Sequence, residues 1–193
     1  MPIEVMSRRR SAATIEKQYP NSTVIDVTSR AAQPWVQLSP FYPHGGIPVP
    51  GSPGTFGQSV EGIWQALKVF ETSDVDLSKL DVTSMKGLKR TTRRYGRVLG
   101  HRYGSTGQVL LPYGPARRRI YLPAYRWVLE HRVKDLLDEL AELSRRADVV
   151  LLDYETNLDV DDLSRPLSHA GLVRLHLEDR WPAEPPDVPA DPE

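Results

Sequence analysis

Ser59-Val60-Glu61-Gly62-Ile63-Trp64-Gln65-Ala66-Leu67-Lys68-Val69-Phe70 is the stretch on which the reading of the fold turns. Ser59 is a good helix N-cap, and Glu61 falls in the first turn, where a negative charge suits the helix dipole. Val60, Ile63, Trp64, Leu67 and Phe70 follow the helical period and make one apolar stripe. Glu61, Gln65 and Lys68 are spaced i, i+4, i+7 and form a polar line on another face. Two readings of that line stand open. It is a reaction site, or it is a wet helix face, the commoner fate of charged residues.

Upstream, the β-branched run Thr23–Thr28 predicts a buried strand. Pro34–Pro43 and a Gly/Pro-rich loop over 44–58 then deliver the chain into the helix at Ser59; the loop lacks the Lys-Ser/Thr ending of a phosphate-binding P-loop. Downstream, 84–99 predicts a basic helix, and Val109–Leu111 and Ile120–Leu122 predict short extended segments. Ala124–Arg146 predicts one long helix, with Val128, Leu129, Val133, Leu136, Leu137, Leu140 and Leu143 as its core stripe. Val149–Leu152 predicts a central strand, and 163–178 is open between a helix entered at Pro166 and a helix followed by a strand. The expected architecture is α+β: a single helix-rich domain over 21–178 with a short β-sheet built from 23–28 and 149–153. A flexible segment with a short helix around Ala12–Gln18 is expected over 1–20, and a disordered Pro/acid-rich tail over 179–193.

The 193 residues suffice for a proper core, and 25 basic residues balance 25 acidic ones. The charges are unevenly placed. No acidic residue occurs from Val82 to Leu129, where the arginines and lysines of 86–119 cluster, and no Lys or Arg occurs from Asp148 to Asp162. With no cysteine, disulfides, thiolate metal sites and cysteine nucleophiles are excluded. Arg8-Arg9-Arg10 is followed by no apolar export segment, and no apolar run approaches a membrane span, so a cytoplasmic protein without membrane contact is the simplest expectation.

Four groups of residues are candidates for chemistry. Glu61, Gln65 and Lys68 offer an acid, an amide and a base, which suits orienting water or stabilising charge. The acidic stretch holding Asp153, Asn157 and Asp159 follows a buried strand, where ligands bind in α/β-type sheets, or it caps the next helix. The basic segment interleaves Tyr95, Tyr103 and Tyr113 with cations, as phosphate or nucleic-acid contact requires, or pairs internally. The five histidines show no metal-ligand spacing, so no metal is expected; His101 and His169 are candidates for substrate contact or for structure.

The order of these motifs resembles the NADAR superfamily of N-glycosidases. Leu38-Ser39-Pro40-Phe41-Tyr42-Pro43 is similar to its S-N-F-Y-P-like segment, and Ser59–Lys68 to its S-V-E-H-x-x-Q-A-x-K helix. Tyr95-Gly96-Arg97 and the acidic run from Leu151 to Asp159 have counterparts there too. Pro40 stands where that superfamily has Asn, Gly62 where it has His, and its closing Asp-x-x-Trp-Gly is absent. The chain also resembles an uncharacterised bacterial and phage domain, with Phe41–Pro50 and Pro166–Ala170 as signatures. The NADAR resemblance implies hydrolysis of an N-glycosidic bond in a ribosylated nucleotide or ADP-ribosyl substrate, with no cofactor. It implies Glu61 as the carboxylate facing an oxocarbenium-like state, Lys68 as a phosphate or opened-sugar partner, and Asp153 or Asp159 as a second acid/base. Phe41, Tyr42 and Trp64 would stack on the base, Arg97 would meet a phosphate, and Gln65, His101, Asn157 and His169 would complete the substrate contacts. The competing expectation is a non-catalytic nucleic-acid or nucleotide-binding protein that uses the basic 85–119 segment.

Overall fold

The computed structural model describes residues 2–183. Along the chain run β1 (Ile3–Ser7), α1 (Ala12–Gln18), β2 (Thr23–Asp26), β3 (Ile47–Pro48), β4 (Phe56–Gly57), α2 (Val60–Ala66), β5 (Lys68–Phe70), α3 (Thr92–Tyr95) and β6 (Val98–Arg102). They continue with β7 (Leu110–Leu111), α4 (Tyr113–Ala116), α5 (Leu122–His131), α6 (Lys134–Arg146), β8 (Val149–Asp153) and α7 (His169–Leu177). The architecture is α+β, as the sequence predicts. Among the described residues, no helix is long and apolar enough to cross a membrane. The chain divides into two compact units: residues up to Ser39 with Leu129–Pro182, and Pro40–Val128 with Ala183.

The first unit is built on a parallel sheet of order β1-β8-β2. All five residues of β8 are buried, which is why Val149–Leu152 reads as an unbroken apolar run. Strand side chains alternate, so Val150 and Leu152 face one side, where they cluster with Met6 and with Ile15 of α1. α6 and α7 also pack on β8. The segment expected to be flexible therefore supplies the edge strand β1, in register Ile3 to Val149 through Ser7 to Asp153, and the helix expected around Ala12–Gln18 is α1, which covers the sheet. The long helix predicted over 124–146 is two helices. Val133, buried with φ −128° and ψ 23°, stands between them, and because the apolar stripe stays in phase across it, periodicity does not register the break.

Ser168, not Pro166, opens the last helix, its hydroxyl accepting the Gly171 N–H at 3.0 Å. That helix ends in a left-handed turn: Asp179 has φ 53°, its N–H donates to the His176 carbonyl, and the Arg180 N–H donates to that of Leu175. Residues 179–181 of the expected tail thus close α7, and Trp181 sets its ring edge on His176. The remainder of that tail, 184–193, lies outside the described residues.

The second unit holds an antiparallel sheet of order β5-β6-β7, the β3–β4 pair, and α2. Ser59 caps α2 as expected, accepting from the Gly62 N–H at 3.0 Å, while the Glu61 N–H donates to the Pro40 carbonyl. The basic helix predicted over 84–99 is reduced to Thr92–Tyr95, and the chain runs on from there as β6. Gly87 (φ 73°) and the capture of the Arg90 N–H by the Gln65 side chain keep the earlier part non-helical. Ile120–Leu122, expected to be extended, lies in a π turn leading into α5.

A 3-10 turn at Leu77–Asp81 packs closely on α2 at Gly62, where a Cβ would meet the Lys79 carbonyl oxygen at 2.7 Å and the Ser59 Oγ at 2.9 Å. The His of the NADAR-like pattern has no room there. Gly→Ala inside an exposed helix gains about 1 kcal/mol. Here the sign reverses: Gly62→Ala should cost about 1–3 kcal/mol, as overpacking does, and chemical denaturation would measure it.

Candidate active site

Glu61 and Gln65 are not a wet face. They are 8% and 4% exposed, and the Gln65 Nε2 donates to the Glu61 Oε1 at 2.8 Å. The other end of the same amide, Oε1, accepts the backbone N–H of Arg90 at 3.0 Å. The Arg90 guanidinium, itself buried, donates to the carbonyls of Gln65, Lys68 and Asp74 and to the Ser73 hydroxyl, and lies against the rings of Phe70 and Tyr95. It thereby satisfies the Gln65 carbonyl that α2 leaves free at its C-terminal end, where positive charge is favoured.

Lys68 follows the helix rather than belonging to it. It is the first residue of β5 and sits opposite His101 of β6 in the ladder. Burial pushes the Glu61 carboxyl up, against the pull of the Gln65 hydrogen bond and of Lys68 and Lys89. Burial also pushes the Lys68 amine down, with Arg90 and Lys89 adding to it and Glu61 opposing. Both groups are shifted toward their neutral forms, the pattern expected where acid and base work at one site.

Lys68 lines a cavity of about 240 Å³ together with Trp64, Val98, Leu99, His101 and Tyr113, with Gly100. His101 stacks on Trp64 with ring centroids 3.7 Å apart, and Tyr113 and Tyr121 meet Trp64 edge-on. Burial and Lys68 together lower the His101 pKa to about 3, so its ring is neutral at physiological pH. Neither His101 nitrogen has a hydrogen-bond partner among the described residues. An unmade hydrogen bond of this kind costs about 1–3 kcal/mol per group.

Other residues named from the sequence fall in various places. Phe41 lies under the Lys89 ammonium at 5.4 Å, and Tyr42 packs on His44. Arg97 is exposed and pairs with Glu71 at 3.3 Å, next to Gly96, whose φ of 82° turns the chain out of α3. Arg102 pairs with Asp74, and Arg117 is buried with its guanidinium over Tyr113. Much of the basic segment is thus engaged inside its own unit.

Asp153, Asp159, Asn157 and His169 belong to the first unit. Asp153 and His169 form a buried pair, Nδ1 to Oδ2 at 3.0 Å, and His169 Nε2 meets the Val27 carbonyl at 2.8 Å. Asp153 also accepts from the Ser168 hydroxyl and from the backbone N–H groups of Tyr154 and Ala170. Asn157 ties its loop together through the carbonyls of Asp162 and Arg165, and Asp159 is exposed and accepts the Asp161 N–H. Among the described residues, no three His, Asp or Glu side chains are grouped so as to hold a metal ion.

Residues 7–173 match a described protein family, and both expected signature segments, Phe41–Pro50 and Pro166–Ala170, fall inside the match. The chain belongs to the DUF6939 family, a family of unknown function. No curated protein matches it. In this DUF6939 chain, the features that periodicity could not reveal are Arg90, Lys89 and the placing of His101 against Trp64. All three arise from the pairing of β5 with β6 and from the segment before α3, not from any local motif.

Two outcomes follow for stability. Arg90→Lys cannot reproduce the forked contacts and should lose about 2 kcal/mol or more in urea unfolding. The Asp153–His169 pair should set a pH window. Burial opposes His169 protonation, but Asp153 and the Val27 carbonyl outweigh it and raise the pKa above its ordinary 6.5. The stability this gives is therefore complete below 6.5 and lost as pH rises through the raised value. Burial likewise opposes Asp153 ionisation, but His169 and the Ser168 and Ala170 donors lower it below its ordinary 3.8; that share is present above 3.8 and lost as pH falls through the lowered value. Unfolding midpoints of wild type should decline on both sides of this window, and His169→Gln should remove the alkaline decline.

Proposed function

We propose that the α2–β5 centre is the active site of an N-glycosidase-like hydrolase that cleaves an N-glycosidic bond in a ribosylated nucleotide or an ADP-ribosyl substrate. The observation that carries this reading is the buried Glu61, oriented by Gln65 and electrostatically coupled to Lys68, which itself lines a small aromatic-walled cavity. The similarity of Ser59–Lys68 to the NADAR helix adds to it.

N-glycoside hydrolysis passes through an oxocarbenium-like state, which a nearby carboxylate stabilises while taking a proton from the attacking water. A carboxylate made more basic by burial is a better proton acceptor, and the Gln65 amide holds it in one orientation. The C–N bond leaves with its electron pair on the base nitrogen, which then gains a proton, and the water oxygen joins the anomeric carbon. Lys68, with its charge weakened by burial, keeps an amine fraction that can capture a ring-opened sugar as a Schiff base. The proposal gives no step to Asp153, whose oxygens are occupied by Ser168, His169 and backbone donors. A cytoplasmic setting, where nucleotides are plentiful, suits a chain with no cysteine.

The rival reading, nucleic-acid or nucleotide binding without catalysis, rests on the basic 85–119 segment. It is weakened by the engagement of Arg90, Arg102 and Arg117 with internal acceptors and rings. Incubation with ribosylated nucleotides and ADP-ribosylated DNA should release free base, followed chromatographically. Glu61→Gln should lower that release by about 10²-fold or more, the range for loss of a general base. Equal release by the variant would sink the mechanism.

A further inference from the structure

His101 is 1% exposed, and both its nitrogens are buried without a partner among the described residues. Buried polar groups in native proteins nearly always find partners, and an exception calls for a reason. His101 is also one of the residues that line the cavity shared by Trp64, Lys68 and Tyr113. We infer that this cavity is the pocket for a neutral, planar, nucleobase-like heterocycle, and that His101 selects that ring by hydrogen bonding. That the heterocycle is the leaving group rests on the hydrolase reading; its binding as a free ring does not.

Size, walls and charge argue for this class. A cavity of about 240 Å³ lies below the roughly 300–1,000 Å³ of pockets for drug-sized ligands, so it suits one ring system rather than a whole nucleotide. Trp64 and Tyr113 give flat walls, with Val98 and Leu99 completing an apolar lining. Lys68, the one cationic side chain among the lining residues, is pushed toward its neutral form by burial, so the pocket offers a weakened cation to an anion. His101 stays uncharged because burial and Lys68 both resist its protonation. A neutral imidazole carries one donor and one acceptor and can exchange them between its nitrogens, so it meets either a ring carbonyl or a ring N–H. A site that holds such a group in readiness rejects an apolar ring of equal size, because its own polar atoms then stay unpaired.

The test titrates the full chain with free hypoxanthine, uracil and nicotinamide, and with toluene as the apolar control. The readout is the ring ¹⁵N resonances of His101, identified by their loss in His101→Phe. At least one heterocycle should bind saturably, shift those resonances and be insensitive to salt, while toluene should not shift them. His101→Phe keeps a flat ring against Trp64 and removes the orphaned nitrogens. It should bind the heterocycle about tenfold more weakly or worse, and its thermal midpoint should rise. Equal binding by the variant, or saturable binding that leaves the His101 resonances in place, overturns the inference. So does binding of none of the three. If that variant does not fold, the other four histidines are replaced one at a time, and the resonances that survive all four replacements are those of His101 and decide the outcome. Heterocycle binding at His101 without Glu61-dependent base release would keep the pocket and remove the hydrolase.

Discussion

A single buried guanidinium organises the second unit. α2 is only seven residues long and ends at Ala66, so its last carbonyls have no intrahelical partners. Arg90 and the Asp76 N–H supply them: Arg90 donates to the Gln65 carbonyl, and to that of Lys68 just beyond the helix, and Asp76 to that of Ala66, while the Arg90 backbone N–H is held by the Gln65 side chain. The Gln65 amide is thereby fixed at one end by Arg90, and its other end can only donate to Glu61. The orientation of the proposed general base is thus set by the same contacts that terminate the helix. Phe70 and Tyr95, which pack on each other and against the guanidinium, help to exclude water from it and strengthen those contacts.

The first unit solves a related problem with the opposite geometry. His169 stands at the start of α7, where a positive charge is disfavoured by the helix dipole. It is nonetheless tied to Asp153 at the end of β8 and to the Val27 carbonyl just past β2. One side chain therefore joins the first turn of a helix to two neighbouring strands. Ser168 does double duty there, capping α7 through the Gly171 N–H and donating to Asp153. In both units a buried polar residue is held by several partners at a helix end, and in both the partners come from distant parts of the chain.

That long-range origin decides what the sequence could reveal. Ser59 as a cap, the apolar stripe of α2 and the buried β8 are local patterns, and each is found where its pattern lies; the β-branched run is a strand over Thr23–Asp26, but at the sheet edge rather than buried, with Val24 45% exposed. The polar line of α2 was ambiguous because spacing places Glu61 and Gln65 on one face without saying what covers that face. Arg90, the covering group, sits 25 residues beyond Gln65 in a segment whose composition predicts a helix. β1 was missed because Ile3–Ser7 is short and mixed, and only pairing with β8 makes it a strand. The break at Val133 was invisible because both helices keep their apolar residues in one phase.

The burial that hides the polar line also gives it chemical potential. A solvated Glu and Lys at these positions would form an ordinary exposed pair, each with its usual affinity for protons and little net interaction. Buried and held by the Gln65 amide, the acid becomes a stronger base, and burial pushes the Lys68 amine toward its neutral form. His101 is drawn into the same region by its ladder position opposite Lys68, and desolvation, which pushes Lys68 down, keeps the imidazole uncharged as well. Close packing at one helix thus sets the protonation of three side chains that come from a helix and two strands.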